Sequence, residues 1–452
     1  MTILNFLTSH AAMVVFGLPA AFLPTTRRFS PAGRLAFAYG AGAIALTLVS
    51  MAFTASGVKW SVVSLAVVLV MLAGAGSFFL RRMPAAARRP IRISSPVAAA
   101  SLGIIFVSVL ALVQSIASGR SISVDFLMFW GIKAARFAHA GGIDVDFLTW
   151  VYATHAHANY PPLFSTTIAW TALVSPREFW TMAPFSAVIW FLLAVPLVFD
   201  LCRQRMADRE AAVTAAFWSV ALSAGLSHAF SGGNAEATLV FYETAAIGSL
   251  MFLPMRKWMG GVIAGIFLAG AVLTKLEGSV AAGFMLGAAA LSLIASRRRD
   301  GWKGLAVAAA IPLLAGLTWL GFMLVHEIPL RDPTHVQPEG IRFDHLEAVI
   351  ASQILNSGFG TRGMSWALPF GVIIVFAARW SARLILPLVF VAGLPLFTMT
   401  HYLQAPADPT ELIGWTFPRL MLPALSALIF AASLLLFGNS EETGEPSPQS
   451  ES

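Results

Sequence analysis

Acidic and basic side chains recur at the polar ends of long apolar segments in this 452-residue chain. Asp125 begins an aromatic-rich segment, Glu236 follows a Gly-Gly-Asn turn, and Lys275 and Glu277 lie together in Thr-Lys-Leu-Glu-Gly. A carboxylate at such a position can act as a general base, and a basic group can stabilise a leaving group that carries negative charge. These residue types therefore make the polar ends of the apolar segments candidate positions for chemistry.

Each of these residues also has a structural interpretation. Asp125 could cap the helix that contains Lys133, and Glu236 could interact with a helix dipole, with Asn234 as the cap. Lys275 could extend its ammonium group from a helix end toward water. Spacing alone leaves both interpretations open.

The composition places these residues in a membrane protein. The chain is 58% hydrophobic and 11% charged, and its mean hydropathy is +0.77. That leaves too little polar surface for a soluble globule, and backbone hydrogen bonding in lipid requires helices or a closed barrel. Because no barrel-like alternation is present, we predict an all-α, polytopic integral membrane helix bundle.

The apolar segments predict about thirteen transmembrane helices, with juxtamembrane helices in the first large outer loop. The predicted spans are 3–24, 34–55, 60–80, 96–117, 179–200, 211–228, 234–254, 258–276, 279–296, 303–325, 366–379, 383–399 and 418–437. The segment 161–174 is too short to cross, and counting it as a span would move the later basic clusters to the opposite side. We predict that it lies against the outer face.

The basic residues predict the orientation. With 161–174 excluded, the dense arginine clusters fall on one side, which the positive-inside rule assigns to the cytoplasm. The chain then divides into an N-terminal membrane segment 1–117, an outer catalytic loop 118–178, the remaining membrane helices 179–437 with outer loops 326–365 and 400–417, and a disordered cytoplasmic tail 438–452. The expected location is a bacterial inner membrane, with the site on its extracytoplasmic side. Cys202 is the only cysteine, so the chain has no intramolecular disulfide.

Several segments, in order, resemble the GT-C-type glycosyltransferases that use polyprenyl-phosphate donors, which include protein O-mannosyltransferases and aminoarabinose transferases. The run from Asp125 to Ala138 is similar to the first outer loop of that family, and His155–Leu163 resembles the start of a juxtamembrane helix, with Asn159 where an acid is usual. Gly232–Glu236 and Leu273–Gly278 resemble two further outer segments. Thr416–Pro423 adds a weaker match.

The resemblance implies an inverting transfer of a hexosyl or pentosyl group to a lipid, glycan or protein acceptor. Asp125 would be the base and Glu236 a second catalytic carboxylate. Lys275, together with Arg419 or Arg362, would bind the donor phosphate.

Four more residues are candidate substrate contacts: Tyr160, Asn159, His157 and Glu277. Tyr160 could stack on a sugar face. Whether the site uses a divalent cation stays open: Asp125 and Glu236 could hold one, whereas the His155-x-His157 spacing does not place both histidines on one helix face.

Other functions stay open at this point. A ligase or polymerase of lipid-linked glycans would also use outer loops, with Arg331, Arg342 and Arg362 available in 326–365. A secondary transporter would normally have ionisable groups near the bilayer midplane. A non-catalytic assembly protein is a further class. Nothing in the composition indicates a nucleic-acid partner.

Overall fold

The fold was described from a computed structural model of the chain. It describes residues 2–84, 90–150, 156–229, 231–330, 340–354, 356, 384–404 and 409–437. The predicted span 366–379, the predicted tail 438–452, and the candidates Arg362 and His155 lie outside the described residues.

The described residues form α-helices joined by short turns. The helices are α1 Thr2–Phe16, α2 Pro31–Ala55, α3 Val62–Arg81, α4 Ser95–Ala117, α5 Gly131–Ala140, α6 Val145–Thr149, α7 Leu163–Val174, α8 Phe179–Met182, α9 Ser186–Cys202, α10 Asp208–His228, α11 Glu236–Phe252, α12 Trp258–Thr274, α13 Leu276–Ala295, α14 Trp302–Val325, α15 Leu346–Ile354, α16 Ile385–Tyr402, α17 Pro409–Leu420 and α18 Leu422–Phe437. A π-helical turn, Phe126–Trp130, leads into α5. The all-α membrane fold predicted from sequence is confirmed.

The described part of the chain contains long and shorter apolar helices. Eight of its helices are long and apolar enough to cross a membrane, the bent pair α17–α18 makes a ninth, and α1, α7 and α12 are shorter apolar helices. In the predicted span 3–24, the α-helix ends at Phe16, and Gly17 leads into a short 3-10 helix, Leu18–Phe22, that contains Pro19. The predicted spans 234–254 and 258–276 are the 17-residue helices α11 and α12.

Small residues let the helices approach closely. A Cβ atom added to Gly261 of α12 would lie 2.0 Å from the carbonyl oxygen of Gly304 at the start of α14. A Cβ on Gly42 of α2 would lie 1.8 Å from the carbonyl oxygen of Met13 in α1. Without a hydrophobic force between helices in lipid, such close backbone packing is a main source of association.

The basic loops lie together at one end of the bundle. Arg27 donates hydrogen bonds to the carbonyls of Leu80 and Met83 at the end of α3, at 2.7 and 2.9 Å. Those contacts join the loop before α2 to the loop after α3. This part of the predicted clustering of arginines is therefore present in the fold.

Buried ion pairs also connect helices at this basic end of the bundle. Arg203 lies 3.6 Å from Asp200 and 3.3 Å from Asp208, with all three side chains almost fully buried. Asp200 also accepts a 2.6 Å hydrogen bond from the hydroxyl of Ser30, and Asp208 accepts one of 2.6 Å from the backbone N–H of Arg92. Charges buried in this way need partners to offset the loss of hydration. The end of α9 is thereby tied to the starts of α2 and α10.

Residues 118–185 begin and finish at the opposite end of the bundle. The ring of Tyr160, before α7, lies 5.8 Å from that of Trp130, and the ring of Phe179, after α7, lies 6.1 Å from that of Phe126. Both flanks of α7 therefore meet the same π-helical turn. With 12 residues, α7 is about 18 Å long. Helix α7 is buried along most of its length: Thr166 shares a 2.8 Å hydrogen bond with Thr47 of α2, and the indole N–H of Trp170 donates to the carbonyl of Ser9 in α1 at 2.9 Å. It therefore enters the bundle beside α1 and α2 and does not lie on an outer surface, contrary to the prediction from sequence. That 161–174 does not cross the membrane stays a prediction.

Helix α11 is the central helix of the bundle. Every residue from Glu236 to Leu250 is buried, and the helix packs against α9, α12 and α18. Its first residue belongs to the end formed by 118–185, and its last turn belongs to the basic end. Its 17 residues separate the two ends by about 25 Å.

Cysteine labelling tests this arrangement. Cys202 is buried, so we would replace it with alanine and introduce single cysteines at two exposed positions, Asp146 and Lys257. In intact cells, a membrane-impermeant maleimide should label Asp146→Cys, and it should label Lys257→Cys only after permeabilisation. Labelling of both from outside would contradict the helix arrangement. A reversed pattern would contradict the orientation.

Candidate active site

A short backbone pairing joins two segments that are distant in sequence. Ile122 and Gly232 form an isolated parallel bridge. The N–H of Ser123 donates to the carbonyl of Gly232 at 2.9 Å, and the N–H of Gly232 donates to the carbonyl of Ser121 at 2.8 Å. The bridge brings the chain just before Asp125 next to the turn that leads into Glu236.

The Gly-Gly-Asn sequence is required by this pairing. A Cβ on Gly232 would lie 2.7 Å from the carbonyl oxygen of Ser121. Gly233 has a φ of +80° and contacts the ring of Phe126. A Cβ atom added to Gly233 would lie 2.5 Å from that ring. A residue with a side chain is disfavoured at that φ, so Gly233 is constrained by both backbone conformation and space.

Asp125 points into the site and does not cap a helix. It has no side-chain capping hydrogen bond and lies in a right-handed helical conformation. Its Oδ2 accepts a 3.1 Å hydrogen bond from the amide of Asn234 and lies 2.7 Å from Nη1 of Arg419. The same amide group donates to the hydroxyl of Ser123 at 3.2 Å. Two partners thus orient the carboxylate while 28% of its side chain stays exposed.

Glu236 links the two basic side chains of the site. Its Oε1 lies 3.2 Å from Nζ of Lys275 and 3.6 Å from Nη1 of Arg419, and only 3% of the side chain is exposed. Lys275 also lies 3.1 Å from Oε1 of Glu277. Asp125, Arg419, Glu236, Lys275 and Glu277 therefore form one continuous ionic network, called the charge cluster below.

Lys275 is held in its charged form. Burial disfavours the ammonium group, but the carboxylates of Glu236 and Glu277 outweigh this effect and raise the pKa of Lys275 above its ordinary value. The residue lies in an extended conformation between α12 and α13. Its side chain is 13% exposed, so the ammonium group contacts the carboxylates of the cluster and does not extend into open water.

Arg419 reaches the cluster from the end of α17. The axes of α17 and α18 differ by 46° across the break between them. Pro418 lies inside the last turn of α17, where a proline removes a backbone hydrogen bond and favours a bend. The bend puts Arg419 beside Asp125, which is 294 positions away in the chain.

A small cavity lies next to the cluster inside the bundle. Glu236, Glu243, Glu277 and Arg419 line it, together with apolar residues of α13, α16 and α18. Its volume of about 30 Å³ can hold a water molecule. The Oε2 atoms of the three glutamates are buried, and no described group bonds to them. Glu243 did not stand out in the sequence, because a single acid in an apolar helix has no motif around it.

A larger, mostly apolar cavity lies on the other side of Lys275. Its volume is about 320 Å³, and its walls include Asn159, Leu276, Ser279, Gly316 and Trp319. The indole N–H of Trp319 donates to the carbonyl of Asn159 at 3.1 Å, which fixes this wall. The Oδ1 atom of Asn159 is buried without a described partner.

Aromatic residues close the site beside Lys275. The rings of Tyr160 and His157 are stacked at 4.8 Å, and Nζ of Lys275 lies 6.0 Å from the centre of the Tyr160 ring. The carbonyl of His157 accepts a 2.7 Å hydrogen bond from the buried Lys133. That bond fastens the segment before α7 to α5.

The structure brings together most of the candidates chosen from sequence. Asp125, Glu236, Lys275, Glu277 and Arg419 are in contact with one another. Around this cluster, Tyr160 and His157 form one edge and Asn159 lines the apolar cavity. Sequence reasoning treated Asn234 only as a helix cap, whereas its amide group holds Asp125. Its position two residues before Glu236 was the available signal.

Among the described residues, no three His, Cys, Asp or Glu side chains are close enough to hold a metal ion. One oxygen of Asp125 contacts Arg419, and one oxygen of Glu236 contacts Lys275. The use of a divalent cation, which the sequence left open, is not tested by these contacts.

A glycine comparison tests the bridge that positions Asp125. Gly233→Ala should lower the thermal stability of the purified protein by about 1–3 kcal/mol, because it strains the backbone and displaces Phe126. Gly283→Ala in α13 is the matched control, since a Cβ there meets no atom within 4 Å. The control should be neutral or slightly stabilising. Equal melting temperatures for the two variants would contradict the tight packing at Gly233.

Comparison with known proteins gives a match in structure but not in sequence. No family model matches the sequence, and no curated protein matches it. The fold matches the crystal structure of ArnT from Cupriavidus metallidurans bound to undecaprenyl phosphate, with a TM-score of 0.50 and 15% sequence identity. The match covers 75% of this chain and 59% of that chain. The chain is thus an integral membrane protein with the fold of ArnT, a GT-C-type fold.

Proposed function

We propose that this protein is a membrane glycosyltransferase that moves a sugar from a polyprenyl-phosphate donor to a hydroxyl group of a lipid, glycan or protein acceptor. The observation that carries the proposal is the charge cluster near an apolar cavity of about 320 Å³. A donor of this class has a charged phosphate next to an apolar chain. Its binding site therefore needs a charged surface and an apolar surface next to each other. The shared fold with ArnT, which was crystallised with undecaprenyl phosphate, supports this class of donor.

The donor phosphate would bind at Lys275 and Arg419. Both side chains are positively charged and largely removed from water, where charge-assisted hydrogen bonds to phosphate are strong. Lys275 also immediately precedes α13, and the unpaired N–H groups at a helix start favour an anion. Arg362 is a further candidate from sequence.

Charge balance indicates how the phosphate would enter. With every group ionised, the cluster contains three carboxylates and two cations, so it already has a net negative charge. A phosphate would therefore replace one carboxylate on Lys275. Glu277 is the candidate to be displaced, because its side chain is 29% exposed and can turn toward water, whereas Glu236 is buried.

Asp125 would act as the general base. The acceptor oxygen attacks the anomeric carbon while the bond from that carbon to the phosphate oxygen breaks, and the acceptor proton passes to the Asp125 carboxylate. The electron pair of the broken bond stays on the phosphate, where Lys275 and Arg419 offset its charge. A single displacement of this kind inverts the anomeric configuration.

Glu236 and Asn234 would position the side chains that take part in this step. Asn234 keeps Asp125 Oδ2 directed into the site. Glu236 would hold Lys275 and Arg419 close together, because both contact its Oε1 atom, so that both cations could reach the phosphate. Positioning of this kind matters because small displacements of reacting groups are costly in rate.

The apolar cavity would receive the first isoprene units of the donor. Leu276, next to Lys275, lines this cavity, so a phosphate on Lys275 would place its chain beside it. Tyr160, whose ring lies 6.0 Å from the ammonium group of Lys275, and the stacked ring of His157 would contact the sugar. The amide oxygen of Asn159, which has no described partner, would accept a hydrogen bond from a hydroxyl group of the donor sugar.

The site would open on the extracytoplasmic side of a bacterial inner membrane. The arginine-rich loops lie at the other end of α11, and the positive-inside rule assigns such loops to the cytoplasm. A sugar acceptor on the outer face would then reach Asp125 without crossing the bilayer.

Two alternatives differ from this proposal in what the protein would transfer or transport. A ligase or polymerase of lipid-linked glycans would use the same kind of donor but transfer a longer glycan. A secondary transporter would be favoured by Glu243, a buried carboxylate inside α11. Loss of a transported solute without any change in glycans would identify that second alternative.

Substitution of the base tests the transfer step. Asp125→Asn should lower transfer by about 10²–10⁴-fold, the usual contribution of a general base, with protein level unchanged. The readout is the mass-spectrometric profile of envelope lipids and glycans in cells that contain only the variant. Asp146→Asn, an exposed acid in the same loop, is the matched control and should restore the normal profile. A normal profile with Asp125→Asn would contradict the proposed role.

Binding of the donor lipid tests the phosphate site separately. Native mass spectrometry of the purified protein with undecaprenyl phosphate should show at least about tenfold weaker binding for Lys275→Ala, since a hydrogen bond to a charged group contributes about 1.5–3 kcal/mol. Lys275→Arg should retain most of the binding. Lys303→Ala, an exposed lysine at the basic end, should match the wild type. Equal binding of undecaprenol, which lacks the phosphate, would show that Lys275 does not recognise the head group.

A further inference from the structure

A second large cavity lies at the basic end of the bundle, away from the charge cluster. Its volume is about 730 Å³, and it is lined by the last turns of α11, α13 and α18, the first turn of α16 and the neighbouring loops. No residue of the charge cluster lines it. This volume is in the range of small-molecule binding sites, which is about 300–1,000 Å³.

The charged residues that line this cavity are mainly arginines. Arg28, Arg205, Arg256 and Arg298 line it, and Asp300 is the acidic residue among its lining side chains. They come from four different loops that the fold brings to one place. The rim therefore has a strong positive charge, suited to a ligand with one or two negative charges.

The inner walls of the cavity are apolar. They include Leu250 and Phe252 of α11, Leu293 of α13, Leu386 of α16 and Leu434 of α18. All of these residues lie in helices that form the membrane bundle. The cavity thus combines a basic rim at the level of the loops with an apolar interior at the level of the acyl chains.

We propose that this basic cavity is a binding site for an anionic phospholipid of the adjacent leaflet. The guanidinium groups would bind the head-group phosphate, because arginine forms paired hydrogen bonds with phosphate oxygens. The apolar walls would contact the upper part of the acyl chains. Basic pockets between membrane helices recognise anionic head groups by this combination of contacts. A free phosphate ion would use only the rim and leave the apolar walls without a ligand.

The site is independent of the proposed transferase activity. It lies at the end of α11 opposite Glu236, and the bound lipid would not contact the donor or the acceptor. It would instead contact the ends of four helices, α11, α13, α16 and α18, so we expect it to stabilise the bundle.

Lipid binding to the full-length protein tests this proposal. The delipidated protein in detergent is titrated with phosphatidylglycerol and, separately, with phosphatidylcholine of the same acyl chains, and the complexes are counted by native mass spectrometry. Phosphatidylglycerol should bind more tightly and raise the melting temperature. The double variant Arg256→Ala/Arg298→Ala should bind it about 25-fold more weakly, at about fivefold for each basic side chain.

A matched variant controls for general surface charge. Lys257→Ala/Lys303→Ala also removes two exposed cations from the same end, but neither residue lines the cavity. This control should bind phosphatidylglycerol like the wild type. Equal weakening in both double variants would overturn the proposal, as would equal binding of the two lipids. Displacement of the lipid by millimolar inorganic phosphate would show a site for a free anion and would also overturn it.

Discussion

The central constraint on this structure is the cost of burying Glu236 at the start of a helix that is enclosed by the bundle. A carboxylate with 3% of its side chain exposed must be paired. Lys275 and Arg419 supply that pairing from two other parts of the chain, and Arg419 is in turn fixed by Asp125. The close approach at Gly232 and Gly233, and the bend before α18, are the local features that let these partners meet.

The same pairing gives the site its chemical character. Two cations that share the buried carboxylate of Glu236 are held in place next to each other. The apolar cavity near Lys275 then offers a neighbouring surface without charge. The ligand class proposed above, with a charged head and a hydrocarbon chain, would contact both surfaces.

Composition and periodicity were enough to predict a helical membrane bundle and the short helix within 161–174. They could not predict that Asp125 meets Arg419, since contacts between distant segments depend on how helices pack. The position of Glu243 beside the charge cluster was also not predicted, because a single acid in an apolar helix has no motif around it. Helix ends at Phe16 and Phe252 differed from the predicted 24 and 254, because local Gly and Pro residues stop helices that hydropathy alone would extend.

Photolabelling is the most direct test of the claim that the charge cluster and the apolar cavity together hold a polyprenyl phosphate. The probe is undecaprenyl phosphate with a diazirine on the isoprene unit nearest the phosphate. Peptide mass spectrometry should find the label on cavity residues such as Leu276, Ser279 and Trp319, and unlabelled undecaprenyl phosphate should compete. Labelling confined to the lipid-facing surfaces of α3 and α4, without competition, would contradict the claim.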